Sequence, residues 1–85
     1  MAQVIPQATP NPQAYKFTIE GHSFSGPLTI SGRDGASGTP FEGLFELPGV
    51  ASIFATANFV TIMKDPAADW GTIVEPAREH LERAF

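Results

Sequence analysis

The stretch of sequence that decides the fold covers residues 44–64 and reads LFELPGVASIFATANFVTIMK. Two runs within it, 50–55 and 59–64, are short and rich in β-branched and aromatic residues, which is typical of strands. Because only residues 56–58 separate them, the two runs are predicted to pair as a hairpin with a tight loop. We expect Asn58 to adopt the left-handed conformation in that loop.

Pro48 and Gly49 place a sharp turn directly before this hairpin. Proline supplies the φ near −65° that suits the second turn position, and glycine tolerates the positive φ of the third. Proline also ends a helix, because it lacks a backbone N–H and disfavours helical geometry in the residue before it. We therefore expect a short helix to end at Leu47.

The start of that short helix is marked by residues 39–42, TPFE. Threonine is a good N-cap, proline fits the first helical position, and Glu42 at the third position can complete a capping box. The apolar side chains at helical spacing are Phe41, Leu44 and Phe45. A helix of about two turns is too short to be stable alone, so packing must hold it.

Two further strands are predicted in the N-terminal half of the chain. Residues 15–20 alternate apolar and polar side chains, which is the period-2 pattern of a half-buried strand. Residues 27–31 resume the alternation, with Leu28 and Ile30 inward and Pro27 at the strand start. We expect these two strands to pair as an antiparallel hairpin with a loose connection.

A last helix is predicted near the C-terminus. Asp69 is a suitable N-cap, and the apolar side chains that recur on one face after it are Trp70, Ile73, Val74, Ala77 and Leu81. Pro76 interrupts this pattern and leaves two alternatives. Either one helix has a disturbed first half, which we favour, or a loose turn over 70–75 precedes a regular helix that begins at Pro76. Trp70 is expected to anchor the core.

These elements give the order β-β-α-β-β-α and predict an α+β fold. The expected architecture is a two-layer sandwich, in which a four-stranded, mostly antiparallel sheet carries both helices on one face. Eighty-five residues are enough for one domain. We expect residues 1–8 to be a flexible N-terminal arm and residues 9–85 to form the single domain.

Composition and charge narrow the functional classes. The chain is 42% hydrophobic and 16% charged, which is typical of a globular domain. A net charge of −4 with scattered basic residues argues against nucleic-acid binding, which needs clustered Lys and Arg. No apolar run approaches membrane-spanning length and the N-terminus lacks the features of a signal peptide, so we expect no membrane association. The absence of cysteine fits a reducing compartment, and we expect a cytoplasmic location.

No residue pattern predicts catalysis, so we expect the protein not to be an enzyme and to hold no cofactor. The lack of cysteine removes thiolate nucleophiles and cysteine-held metal sites. The serines lack a nucleophile motif, and we interpret His22 and His80 as surface residues rather than metal ligands. The glutamates of the last helix lie at helical spacing from two arginines, which predicts a solvated helix face.

A binding surface remains as the main functional possibility. If both helices cover one face of the sheet, the other face is open, and Phe59 and Met63 would form an apolar patch among polar side chains there. Those polar side chains are Lys16, Thr18, Thr29 and Thr61. Two alternatives stay open: a small ligand-binding domain that uses the Gly-rich loop 32–38 and His22, and a homodimeric structural module that buries the open sheet face on itself.

An ordered set of short motifs resembles a known family. The set comprises residues 9–12 (TPNP), 16–17, 40–45, 47–50 (LPGV), 59–62 with Lys64, 69–70 and Pro76. In order and spacing it resembles the N-terminal domain of the Nfu/NifU-type iron–sulfur cluster scaffold proteins, over about residues 8–85. Two-domain members of that family carry a second domain whose Cys-x-x-Cys motif holds a bridging cluster, and this sequence contains no cysteine.

The resemblance implies a non-catalytic protein-interaction module associated with iron–sulfur cluster assembly or delivery, without a cluster of its own. The implied partners are iron–sulfur assembly or client proteins. The resemblance also implies that residues 9–12 are ordered against the sheet. We expect the contact surface to comprise Thr9, Pro10, Asn11, Pro12, Lys16, Phe59, Thr61 and Lys64.

Overall fold

The structure is a computed structural model that describes residues 3–24, 26–47 and 49–85. These residues form a five-stranded antiparallel sheet with helical segments packed on one face, which confirms the predicted α+β class. The strands are β1 Gln3–Ala8, β2 Ala14–Glu20, β3 Leu28–Ile30, β4 Val50–Thr56 and β5 Phe59–Lys64, and their spatial order is β1-β2-β5-β4-β3. The helical segments are α1 Arg33–Ala36, the 3₁₀ helices Glu42–Glu46 and Trp70–Thr72, and α2 Val74–Ala84.

The β4–β5 hairpin confirms the interpretation of residues 50–64. Thr56 pairs with Phe59, so β4 is one residue longer than predicted and the loop has two residues instead of three. The left-handed residue is Ala57, with a φ of 51°, and the prediction of Asn58 was wrong. A type II′ loop needs a positive φ at its first central position, here Ala57, in order to match the twist of the strands. That requirement outweighs the greater tolerance of asparagine for the left-handed conformation. Pro48, which belongs to the turn predicted before the hairpin, lies outside the described residues.

Strand β1 takes the place of the flexible arm that the sequence predicted for residues 1–8. Residues Gln3–Ala8 pair with β2, and Val4 is buried opposite Ile19. The predicted count of four strands was therefore one too few. The proline-rich sequence hid this strand, but Pro6 is tolerated because β1 lies at the edge of the sheet, where one side of a strand needs no hydrogen-bond donors.

Strand β3 pairs with β4, and the predicted hairpin of β2 with β3 was wrong. Ile30 lies opposite Ile53, at the far edge of the sheet. The connection before β3 contacts the β4–β5 loop, where the Phe24 N–H donates to the Ala57 carbonyl at 2.6 Å. Seven linking residues reach roughly 23 Å, whereas three strand spacings need only about 14 Å. The chain is therefore long enough to pass two strands before it pairs.

The first predicted helix is a 3₁₀ segment, Glu42–Glu46, and one turn of α-helix, α1, precedes it within the Gly-rich loop. Thr39 was predicted to be the N-cap, but the N-cap of the 3₁₀ segment is Phe41, which has no side-chain cap. The Thr39 hydroxyl instead stabilises the turn before the segment, because it accepts from the Phe41 N–H at 3.2 Å and donates to the Ala36 carbonyl at 2.6 Å. Its hydrogen bonds run from residue i to residue i−3, as from the Leu44 N–H to the Phe41 carbonyl at 3.0 Å, which is the pattern of the 3₁₀ form.

The C-terminal helical region is divided at Ile73. Asp69 caps its first part as predicted, since the carboxylate accepts from the Gly71 N–H at 3.0 Å. Helix α2 then begins at Val74, which puts Pro76 in the first turn, where a missing N–H removes no helical hydrogen bond. The observed start of α2 at Val74 matches neither alternative fully. The first half of the region is a separate 3₁₀ helix, and the regular helix begins two residues before Pro76.

The core lies between the sheet and the helical layer. Its largest fully buried side chains are Phe17, Phe41, Ile19, Leu44, Ile53, Ile62, Ile73, Leu81 and Val60. Burial alternates along β2 and β5, as expected of strands with one buried face. The second face of the sheet is not covered by any helical segment of the described residues.

Candidate partner-binding surface

The face of the sheet away from the helical layer is uncovered, and we call it the open face. The fully buried residues on its two central strands are Phe17 and Ile19 on β2 and Val60 and Ile62 on β5. Because side chains alternate between faces, the residues between these lie on the open face. Its members on four strands include Ile5, Lys16, Thr18, Phe54, Phe59, Thr61 and Met63.

Lys16 lies over an aromatic ring near the middle of the open face. Its Nζ atom is 4.6 Å from the centroid of the Phe59 ring, which is a cation–π distance. The strand register explains the contact, because Lys16 lies opposite Thr61 and Phe59 lies opposite Thr18, which makes the pair diagonal neighbours. The Phe59 ring therefore stabilises the Lys16 ammonium group, and the Lys16 side chain stays half-exposed.

Apolar side chains flank this pair on both sides. Ile5 is 43% exposed and Phe54, opposite Thr61 in the register, is 36% exposed. Exposed apolar side chains among threonines are typical of a contact surface. The sequence did not reveal these two residues, because β1 was missed and β4 carries a register shift between Val50 and Ser52.

Acidic residues are concentrated away from the open face. Of the nine acidic residues, Glu20 lies in a strand, and the other eight lie in helical segments, turns and connections. The charged residues of the described strands are Lys16, Glu20 and Lys64. The open face therefore carries one basic and one acidic side chain, whereas the whole chain has a net charge of −4.

Residues 9–12, TPNP, form a hydrogen-bonded turn between β1 and β2. The Thr9 hydroxyl oxygen lies 2.9 Å from the carbonyl oxygens of both Asn11 and Ala14. The Asn11 side-chain oxygen accepts from the Gln13 N–H at 2.9 Å. The segment is therefore ordered by its own side chains, while Pro10 and Asn11 stay exposed.

Trp70 connects this turn to the C-terminal part of the chain. Its indole N–H donates to the Pro12 carbonyl at 3.0 Å, and its ring packs on Tyr15 with centroids 5.1 Å apart. The Lys64 ammonium lies 5.8 Å from the Trp70 ring centroid and donates to the Gln13 side-chain oxygen at 3.1 Å. Residues 9–13, Tyr15, Lys64 and Trp70 are called the turn cluster below.

The predicted contact residues fall in two places. Three lie on the open face, Lys16, Phe59 and Thr61, and five belong to the turn cluster, Thr9, Pro10, Asn11, Pro12 and Lys64. Lys64 has the strand parity of Val60 and Ile62, so it lies on the helical side of the sheet and not on the open face. Trp70 was expected to be a core anchor; it packs against the core as a partly buried residue, and its indole N–H also positions the turn.

Replacement of Trp70 by Phe should loosen the turn cluster without unfolding the domain. The ring is kept and the hydrogen bond to Pro12 is lost, which should cost about 1 kcal/mol, or a Tm lower by roughly 4–8 °C. Hydrogen exchange at the Gln13 amide should become faster. Tyr15→Phe, which retains the ring beside Trp70, is the control, and equal exchange in both variants would show that the indole N–H does not hold the turn.

Both histidines are half-buried, whereas the sequence suggested solvated side chains. The His22 ring packs on Phe24 and Phe85, with centroid distances of 4.7 Å and 4.6 Å. The His80 Nε2 atom lies 2.7 Å from the Pro40 carbonyl oxygen. Within the part of the chain that the structure describes, no group of three or more His, Asp or Glu is arranged to hold a metal ion.

The exposed side of α2 carries the ion pairs that the sequence predicted. Arg78 lies 2.8 Å from carboxylate oxygens of both Glu75 and Glu82. The hydrogen bond from Arg78 lowers the pKa of Glu75, and the same bond raises the pKa of Arg78. Both groups therefore stay charged near neutral pH, as in a solvated helix face rather than an acid–base pair.

Two surface pockets lie near the helical segments. One has a volume of about 300 Å³ and is lined by Gly43, Glu46, Leu47, Pro76, Glu79, His80 and Arg83. The other has a volume of about 510 Å³ and is lined by Gly49, Asp65, Ala67, Ala68, Asp69 and Thr72. Neither is lined by His22 or by the 32–38 segment, on which the ligand-binding alternative depends. In the described ranges, no helix has the length and apolarity needed to cross a membrane.

Known proteins resemble this chain along most of its length. The model of a family described as "Scaffold protein Nfu/NifU N terminal" matches residues 4–85. The chain is 35% identical over 74 residues to "NFU1 iron-sulfur cluster scaffold homolog, mitochondrial" of Drosophila willistoni. It is 37% identical over 73 residues to the protein of the same name from Drosophila ananassae. Each match covers 79% of this chain and 24% of the relative, so the chain spans about a quarter of their length.

A solved structure confirms the fold by comparison. The crystal structure of protein SAV1430 from Staphylococcus aureus matches with a TM-score of 0.79. The match covers 93% of this chain and 98% of that one, at 24% sequence identity. At that identity, the comparison shows that the two chains share a fold.

Proposed function

This chain belongs to the Nfu/NifU scaffold N-terminal family, and from that premise we propose that it is an accessory protein-interaction module in iron–sulfur cluster assembly or delivery. In this proposal it binds partner proteins, holds no cluster and catalyses no reaction. Its partners are iron–sulfur assembly or client proteins. The names of the two fly relatives, which are iron–sulfur cluster scaffold homologs, support the association.

The proposal that a partner protein, and not this chain, holds the cluster follows from the ligands that iron–sulfur clusters need. Iron–sulfur clusters are held mainly by cysteine thiolates, and this sequence has no cysteine. The module would therefore contact a protein that carries the cluster rather than carry it. We propose that it works in a reducing compartment; the sequence predicted the cytoplasm, whereas the names of the two relatives place those proteins in mitochondria.

The main observation that supports the proposed contact surface is the Lys16–Phe59 pair on the open face. A half-exposed ammonium 4.6 Å from an aromatic centroid offers a charge and an apolar ring to the same partner. Thr61 lies beside the pair, opposite Lys16 in the register. The turn cluster, with its exposed Pro10 and Asn11, is the proposed second part of the surface.

Partner binding is tested by NMR titration of the ¹⁵N-labelled chain with a purified Cys-x-x-Cys scaffold domain, with and without its cluster. The amides of Lys16, Phe59 and Thr61 should shift. Lys16→Ala should weaken binding about tenfold, as loss of a central contact residue does. Arg83→Ala, which removes the same charge from the exposed end of α2, is the matched control and should bind like the parent chain.

Two results would each contradict one part of this proposal. One is a titration in which shifts are confined to α2, or in which the Lys16 and Arg83 variants lose the same affinity. The other is a visible absorbance band of a stable cluster after anaerobic reconstitution of the chain alone. The first result would reject the contact surface, and the second would reject the proposed absence of a cluster.

A further inference from the structure

The backbone of β1 turns alternate residues towards β2 and towards the outer edge of the sheet. In an antiparallel strand, the N–H and C=O groups of one residue point to the same neighbouring strand, and those of the next residue point the opposite way. The Ile19 N–H donates to the Asn58 carbonyl at 2.7 Å, on the β5 side of β2. The backbone groups of Thr18 therefore point to β1, where its partner in the register is Ile5. Ile5 thus uses its backbone groups on β2, as do the residues two positions before and after it.

The same alternation leaves Val4, Pro6 and Ala8 with backbone groups that point out of the sheet. Among the described residues, no strand pairs with β1 on this side. Such an edge is a template for another strand, because its free N–H and C=O groups accept new partners. Pro6 is the middle one of the three outward residues. It has no N–H to donate, and its ring occupies the space into which that N–H would point.

We propose that Pro6 closes the outer edge of β1 to strand addition, and so prevents this sheet from pairing edge to edge with a second copy or with another extended segment. In an antiparallel pair, the outward residues of one strand lie opposite the outward residues of the other. Two copies of β1 therefore have three registers in which two or more outward residues are paired. One of these registers places Pro6 opposite Pro6, and the others place it opposite Val4 or Ala8. Every such register thus loses hydrogen bonds at Pro6.

The opposite edge of the sheet is a poor template for a different reason. Strand β3 has only three residues, and the alternation, followed through β5 and β4, leaves Thr29 as its one outward residue. Pro27, directly before β3, also supplies no N–H. Short edge strands and edge prolines both discourage pairing with another chain. An extended partner segment would therefore find no uninterrupted edge on either side of the described sheet.

This inference concerns the edges of the sheet and does not rest on the proposed function, which uses the open face and the turn cluster. It first predicts an alternating pattern of amide hydrogen exchange in the parent chain. The amides of Ile5 and Gln7 should be protected, because they donate to β2, whereas those of Val4 and Ala8 should exchange quickly. Equal protection of all four amides in dilute solution would mean that the outer edge is covered, and would overturn the proposal.

The decisive variant is Pro6→Val, which restores the outward N–H and keeps an apolar side chain at a half-buried position. At millimolar concentration it should self-associate at least about tenfold more tightly than the parent chain in sedimentation equilibrium. The Val4 and Ala8 amides should become protected in the associated form and lose that protection on dilution. Association through any other surface would leave these two amides unprotected, so the exchange pattern identifies the edge.

Two controls separate the N–H from the side chain. Ala8→Val places the same β-branched residue at an exposed outward position but keeps Pro6, and it should behave like the parent chain. Pro6→N-methylvaline, made by chemical synthesis, has the side chain of the Pro6→Val variant without the N–H, and it should also behave like the parent chain. Circular dichroism of each variant establishes that it is folded.

Three results would overturn the closed edge. One is a folded Pro6→Val variant that associates no more tightly than the parent chain and leaves the Val4 and Ala8 amides unprotected. The second is equal association of the valine and N-methylvaline variants, and the third is association of Ala8→Val as tight as that of Pro6→Val. Pro6→Ala restores the same N–H with a smaller side chain and takes the place of Pro6→Val in these comparisons if valine prevents folding.

Discussion

Phe17→Ala should destabilise the domain more than any other substitution discussed for this protein. Phe17 is fully buried on a central strand, within the core cluster between the sheet and the helical layer. Truncation of a buried phenylalanine costs about 3–5 kcal/mol. A domain of this length has a total stability of roughly 4–13 kcal/mol, so the variant should lose a large part of it. Urea unfolding followed by the fluorescence of Trp70, the single tryptophan, measures the change.

Phe59→Ala is the matched control for that substitution. It removes the same side chain from a neighbouring strand, one register position away and on the opposite face. Because Phe59 is half-exposed and borders solvent, its loss should cost about 1 kcal/mol, mainly from the contact with Lys16. The measurement belongs at low micromolar concentration, where self-association is negligible. Equal destabilisation by the two variants would mean that the open face is covered in the folded chain.

Gly49→Ala should have the second largest effect. Gly49 has a φ of 86°, and a Cβ added there would lie 2.1 Å from the Ala68 Cβ. The left-handed conformation costs a non-glycine residue about 1–2 kcal/mol. The clash adds roughly 1–3 kcal/mol, because the connection after β5 must move away. A loss of about 2–4 kcal/mol in the free energy of unfolding is the expected result in urea.

Gly21→Ala separates these two contributions. Gly21 has a similar φ of 80°, but nothing lies within 4 Å of the added Cβ. This variant should therefore show only the conformational cost, about 1–2 kcal/mol. If both variants lost the same stability, Gly49 would matter for its backbone conformation alone, and its close approach to Ala68 would have no energetic weight.

Local patterns predicted the elements that depend on neighbours in sequence. The strands predicted at 50–55 and 59–64 and the cap at Asp69 each involve residues a few positions apart, so propensity and hydrogen-bonding rules apply directly. Those rules failed at β1, because the tolerance of Pro6 depends on the place of the strand at the sheet edge. They also failed at β3, because the alternation of apolar and polar side chains does not determine which strand it pairs with. The partner depends on the course of the connection between β2 and β3.

The candidate contact surface could also be predicted only in part from local sequence patterns. Lys16, Phe59 and Thr61 were assigned to one face from strand parity, and the register places them together there. Lys64 was grouped with them by family resemblance, but its parity and its contacts with Gln13 and Trp70 put it on the helical side. Ile5 and Phe54 could join the open face only when β1 and the shifted register of β4 were known.

The amino-acid order alone was enough for the α+β class, the central hairpin, the family and the lack of thiolate ligands, because each of these depends on residue identity or on spacing within a few positions. Strand order, the pairing of β3, the role of Trp70 and the membership of the open face required the folded chain. Each of these is set by contacts between segments far apart in sequence, such as Trp70 with Pro12, and these contacts form only when the core closes. Long-range packing selects among arrangements that local propensity leaves equivalent.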